Sequence, residues 1–258
     1  MTTAIPAPAS QVSPGPMPTR HDEAGARRGM DPMRKVALAG GVLYLITFAA
    51  SIPQLKTFKH LIDDPAGYIS TPGSNAAVLW GSLLEVITAA AGIGTALVLY
   101  PVTRRVSRTA GIGFVASRIV EATMILVGVL SVLSVVTLKA HFAGATGSQA
   151  DSLRVTGEAL VAVRQWTFLL GPGLIAGINA LFLGYVMYRG RLVPRIIPTI
   201  GLIGAPLIIT SAIVTLFGGW AQTSGIAFVF GLLDVIWEFS LGVYLTFKGF
   251  KQTPVITV

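Results

Sequence analysis

From Val36 to Phe247 the chain alternates between long apolar runs and short polar ones. The apolar runs occupy 36–52, 76–100, 110–138, 166–188, 196–217 and 225–247. About 20 helical residues cross a hydrocarbon core. The first run sits at the short limit and is expected to stop at Pro53, and the third is long enough that it must tilt or protrude. Lipid offers backbone groups no partner, so runs of this length are helices. The two-residue alternation of a barrel strand is absent. The expected fold is an all-α membrane protein, a bundle of six transmembrane helices.

The polar segments divide the chain further. Residues 1–33 contain six prolines and mixed charge with little to bury, which predicts a disordered tail. The expected boundaries are a tail at 1–33, a membrane domain at 34–251 and a short tail at 252–258. Two connections have amphipathic patterns. In 54–64, Leu55, Phe58, Leu61 and Ile62 share a helical face opposite Lys56, Lys59, His60 and Asp63. In 151–163, Leu153, Leu160 and Val163 oppose Asp151, Arg154 and Glu158. Both are expected to lie along the membrane interface, packed or anchored there or covering a cavity.

Composition supports the same class. The chain is 53% apolar before its 29 glycines are counted, and only 12% is charged. A soluble domain carries about twice that charge. With no cysteine, thiolate chemistry, disulfides and Cys-ligated metals are excluded. The net charge of +8 is distributed in short clusters. Thirteen cations flank the ends of the spans on one side, among them Arg34, Lys35, Arg104, Arg105, Arg108, Arg189 and Lys248. Five (Lys56, Lys59, Lys139, Arg154 and Arg164) fall on the other. This asymmetry predicts that both termini face the cytoplasm from an inner membrane. The clusters are too short for a nucleic-acid groove, so the lipid bilayer is the expected partner and nucleic acid is not.

Charge within the spans carries the candidate chemistry. Glu85 lies in the second run, Arg118 and Glu121 in the third, and Asp234 and Glu238 in the sixth. Each costs roughly 2.5–3.5 kcal/mol to insert and must be paired, hydrated or functional. At 1.5 Å per residue, Glu85 and Asp234 fall about 13 Å from the ends of their spans, and Glu121 and Glu238 fall near the midplane. Small and polar residues accompany them on shared faces: Gly81, Ser82 and Gly92; Ser117, Gly128 and Ser131; Gly231 and Gly242. Such stripes face other helices. The five groups are therefore expected to meet as one cluster in which Arg118 bridges Glu85, Glu121 or Glu238. One arginine among four carboxyls leaves a formal excess of three negative charges, which favours carboxyls that exchange protons. The fourth run is interrupted at Gly171-Pro172-Gly173 and continues to Asn179. The fifth holds Pro198 and Pro206. Kinks are expected at these points.

These residues carry a resemblance. Gly81-Ser82-Leu83-Leu84-Glu85, Arg118-Ile119-Val120-Glu121, Gly171-Pro172-Gly173 with Asn179, and Trp237-Glu238 resemble the bacterial membrane family called domain of unknown function 4386. The likeness runs from about residue 34 to 250. It implies a six-helix inner-membrane fold and no activity. It implies that Glu85, Arg118, Glu121, Asn179 and Glu238 belong to the family pattern and does not extend to Asp234.

No HExxH, GxSxG, Walker A or GxGxxG pattern is present, and no cofactor or metal is expected. His60 near Asp63 and Asp64 reads as a solvated loop. The leading functional expectation is a small-solute transporter or permease-like protein, proton-linked, with Glu85, Arg118, Glu121, Asn179, Asp234 and Glu238 as binding or proton-relay candidates. The alternatives are a non-transporting structural or accessory membrane module and an intramembrane enzyme acting on lipid.

Overall fold

Apolar runs that must satisfy their own backbone produce long helices in the computed structural model, which describes residues 30–142 and 144–254. Six helical stretches are long and apolar enough to cross a membrane. They are α1 (Pro32–Thr57), α4 (Ala76–Val106), α5 (Arg108–Phe142), α6 (Gly147–Phe168) continuing into α7 (Ala176–Arg189), α8 (Ile196–Leu216) and α9 (Gly225–Phe247). Two short helices, α2 (Lys59–Asp63) and α3 (Pro65–Ser70), follow α1. Among the described residues no strand occurs. The expected tail, 1–33, lies outside the described residues up to residue 29, as does 255–258 of the C-terminal tail.

Two expected boundaries are corrected. Pro53 does not end the first span, and α1 continues to Thr57. A proline this close to a helix end removes a single ladder bond, which the last turn tolerates. The segment 151–163 is not a separate interfacial helix. It is the far part of one helical stretch, Gly147–Arg189, interrupted only by a π-helical segment at Leu169–Ile175. Its Val161 and Leu160 bury against α3 and α5 instead of lipid. Pro172 lacks the N–H that would continue the ladder, and its ring crowds the carbonyl of Phe168. The wider π turn accommodates both.

The spans pack in chain order and α9 closes back on α1, so the bundle is a ring. Where the helices approach most closely, glycine makes the room. A Cβ on Gly41 would sit 2.5 Å from the backbone nitrogen of Thr246, where α1 meets α9. The start of α1 and the end of α9 lie at one end of the bundle. There Arg34 donates to the carbonyls of Leu245 and Thr246, at 3.0 and 2.6 Å, and satisfies the last turn of α9. This end is called the near end and the opposite one the far end.

Apolar packing is divided into two large clusters and a small third one, where Ala89 and Ile93 of α4 meet Ala122 and Ile125 of α5. The near large one gathers Ala37, Tyr44, Leu99, Phe114, Leu183, Met187, Ala205, Trp237 and Leu241 from all six spans. The far one holds Phe58 and Leu61, Tyr68 and Ile69, with Val78, Val132 and Val161. Here α2 and the residue before it behave as the amphipathic pattern of 54–64 implies. Phe58 and Leu61 are buried while Lys59, His60 and Asp63 are exposed; the Leu55 side chain lies outside what is described. Each large side chain buried here stabilises the cap by about 1.5–3 kcal/mol. Asp64 caps α3 by accepting the Gly67 N–H at 2.8 Å, with Pro65 in the first turn.

Between the two large clusters, beside the small α4–α5 contact, each main helix that reaches both carries polar residues. On α1 the interval from Tyr44 to Phe58 contains Thr47, Ser51 and Gln54; on α4 the interval from Val78 to Ala96 contains Glu85 and Thr88. On α5 the interval from Phe114 to Val132 contains Arg118 and Glu121. The outward faces at this level are apolar: Val86, Ile87, Ile119, Val120, Val235 and Ile236 are exposed. Water does not tolerate such a continuous apolar surface on a monomer, whereas lipid does.

Candidate functional site

Between the two large apolar clusters a guanidinium from α5 organises one centre. Arg118 donates through Nη1 to Glu121 Oε2 at 2.8 Å, one helical turn away. Through Nη2 it donates to the Tyr44 hydroxyl at 3.1 Å and pairs with Glu238 of α9. Its plane lies over the rings of Tyr44 and Phe114, with centroids 5.4 and 5.7 Å away. Asn179 of α7 donates to the same Glu121 oxygen at 2.6 Å. Four helices are thereby tied to one buried cation. Charge-assisted bonds of this kind are what make a buried pair tolerable.

A second centre lies toward the far end. Arg164 of α6 pairs with Glu85 of α4, and both are buried. The guanidinium stacks between Phe58 and Phe168, 5.4 and 5.1 Å from their centroids. Gly128 of α5 makes the space, because a Cβ there would stand 2.9 Å from Thr167 Oγ1 and 3.2 Å from Arg164 Cδ.

This geometry corrects the single-cluster expectation. Arg118 bridges Glu121 and Glu238 but not Glu85, whose partner is Arg164. Arg164, counted by sequence with the cations of an outer connection, is inside the bundle. Two arginines therefore face four carboxyls, and the formal excess is two negative charges instead of three. The unexpected members are Arg164, Tyr44 and Gln54. A helix boundary drawn at residue 166 hid Arg164. Tyr44 and Gln54 read as ordinary members of the first run and its polar edge.

The two centres border one cavity of about 400 Å³, lined by Glu85, Arg118, Glu121, Asp234 and Glu238 together with Thr47, Ser51, Gln54 and Thr88. Phe168, Pro172 and Ala176 bring the π segment and its flanks to the wall. A second cavity of about 600 Å³ lies on the far side, between α2, Arg164 and the loop containing Gln222 and Thr223. Gln54 and Phe168 line both. Asp234 stands apart from the ion pairs. It is 5% exposed, and its Oδ1 has no hydrogen-bond partner. Gln54 Oε1, Glu85 Oε2 and Arg118 Nε are also buried and unpartnered. Buried polar atoms are nearly always bonded, so such a concentration around one cavity marks a place for water or a ligand.

An all-helical ring of six apolar spans around an internal charged layer defines a multi-pass membrane protein. A protein-family model described as domain of unknown function (DUF4386) matches residues 39–249, and the chain belongs to that family. A comparison with curated proteins found no match, and neither did one with solved structures.

Proposed function

We propose that this protein binds a small solute near the centre of an inner membrane and moves it across, with the cavity carboxyls exchanging protons during the cycle. The observation that carries the reading is the charged cavity itself. Four carboxyls and a single arginine, Arg118, line a space large enough for a small molecule, with unpartnered polar atoms in its lining residues. The second arginine, Arg164, is held by Glu85 and faces the other cavity. A cavity of this kind, built from several helices at the midplane and bordered by an interrupted one, suits alternating access. In this reading the far cavity is the outer approach, Gln54 and Phe168 form the narrowing between the two, and the near end with its arginines faces the cytoplasm.

The test is reconstitution of the full chain into liposomes with an internal pH-sensitive dye. Small amines, amino acids and carboxylic acids are added in turn. At least one should drive a pH change that requires the protein and is lost in Glu121→Gln. No response to any of them, with none to an imposed pH gradient, would overturn the reading.

One observation favours a second reading, a non-transporting accessory module. Glu121 Oε2 is doubly bonded and Arg118 engages three partners, as a structural clamp would. A clamp depends on charge pairing and not on which residue bears which sign. The double variant Arg118→Glu/Glu121→Arg should then restore the folding lost in each single variant and all associated activity. A transport site would recover folding at most.

A further inference from the structure

Resting on the reading of this cavity as a solute site, the geometry points to the class of solute: an amphiphile with a protonated amine headgroup, admitted from the bilayer through the seam between α1 and α9. The first argument is donor and acceptor chemistry. Both guanidiniums are already held by carboxylates. Among cavity-lining residues the unpartnered buried atoms include three acceptors (Gln54 Oε1, Glu85 Oε2 and Asp234 Oδ1) and a single donor, Arg118 Nε. An ammonium group brings three donors, no acceptor and a positive charge, which is what this lining lacks. Asp234, without an ion pair among the described residues, is its counter-ion. Phe48, Phe168 and Phe228 also line the space, and aromatic faces attract cations.

The second argument is the position of the mouth. Ile52 of α1 and Phe228 and Val235 of α9 belong to the cavity wall, yet they are 64%, 69% and 50% exposed. A residue that is both cavity wall and outer surface marks an opening, and this one lies on the lipid-facing side of two spans. Toward the near end the same seam is closed, by the Gly41–Thr246 approach and by Phe48 against Phe239 with ring centroids 5.5 Å apart. The rim is apolar, so it suits a chain that stays in the bilayer while its headgroup reaches Asp234. The far cavity then serves as the approach for water and protons.

The experiment is photo-crosslinking of the purified full chain in detergent with a diazirine-bearing dodecylammonium, followed by peptide mapping. The amine should label α1 and α9 peptides around Ile52 and Phe228. The matching dodecanoate and dodecanol probes should label them at least about tenfold less, the ratio of a single lost charge contact. Asp234→Asn should reduce amine labelling to the level of the alcohol. Ile52→Trp, which fills the mouth without touching the charges, should do so too if Asp234→Asn fails to fold. Competition by phosphatidylethanolamine identifies a lipid headgroup as the natural source; competition only by single-chain amines identifies a non-lipid amphiphile. Equal labelling by the three probes, or unchanged labelling of a folded Asp234→Asn, overturns the proposal. Transport of a water-soluble solute without amine labelling would leave the transport reading standing and remove this one. Labelling without any transport would do the reverse.

Discussion

Arg118 and Glu121 are three residues apart on one helix, but they do not make equivalent contributions. Replacing Arg118 by methionine leaves Glu121 and Glu238 buried without their cation, and breaking a buried pair in this way costs about 3–5 kcal/mol. Glu121→Gln keeps the shape, an acceptor for Asn179 and the Arg118–Glu238 pair, so its loss is nearer to that of one hydrogen bond, about 1 kcal/mol. Thermal unfolding in detergent should therefore place Arg118→Met well below Glu121→Gln, and the reverse order would show that the guanidinium is not the organiser. A second residue tests the far cap. Tyr68 donates to Asn75 Oδ1 at 2.8 Å, and burial raises its phenol above the ordinary tyrosine range. A raised folded value means that stability is present below about pH 10 and is lost as pH rises through the folded value. On titration from about pH 8 to pH 11, wild type should lose more thermal stability than Tyr68→Phe. Equal losses would remove the phenol from the account. Residue by residue, the sequence revealed the acids because charge in an apolar run is conspicuous. It hid Arg164 because a cation near the end of a run looks like a topogenic one. Only Gly128, the small residue of α5 that faces it, carried a trace of its position.

At the level of helices, the apolar runs located every span, since length and hydropathy alone decide what can cross lipid. The ends were less legible. Pro53 and Pro101 both lie inside helices, because a proline in a terminal turn removes little that the turn needs. The amphipathic stretch at 151–163 extends a span in which Leu160 and Val161 meet α3 and α5 while Val163 stays exposed, an outcome decided by packing that periodicity cannot see. The same distinction between packed and open glycines gives a prediction. Gly41 meets backbone of α9, which cannot move aside, whereas a Cβ on Gly92 would meet nothing within 4 Å. Gly41→Ala should cost about 1–3 kcal/mol through overpacking. Gly92→Ala should leave stability unchanged or raise it by up to about 1 kcal/mol through helix propensity. Thermal midpoints of the two variants decide the matter. A similar loss in both would mean that the wall near Gly92 is packed and not open.

For the whole molecule, two large apolar clusters enclose a layer of charged and polar residues with a small apolar contact between α4 and α5, and the layer borders a cavity. The stripes of small and polar residues made inward-facing acids legible. The division into two ion-pair centres was not, because which arginine meets which carboxylate depends on helix rotation and on the π segment. The absence of cysteine in the chain allows a direct test of the cavity in the intact protein. Thr88 lines it, while Ala96 lies farther along the same helix in the near apolar cluster. Each is replaced by cysteine in turn, and the protein is reacted with a small cationic methanethiosulfonate in liposomes. The account predicts that Thr88→Cys is modified and Ala96→Cys is not. Equal inertness of both, in folded protein, would contradict a solute-accessible charged centre.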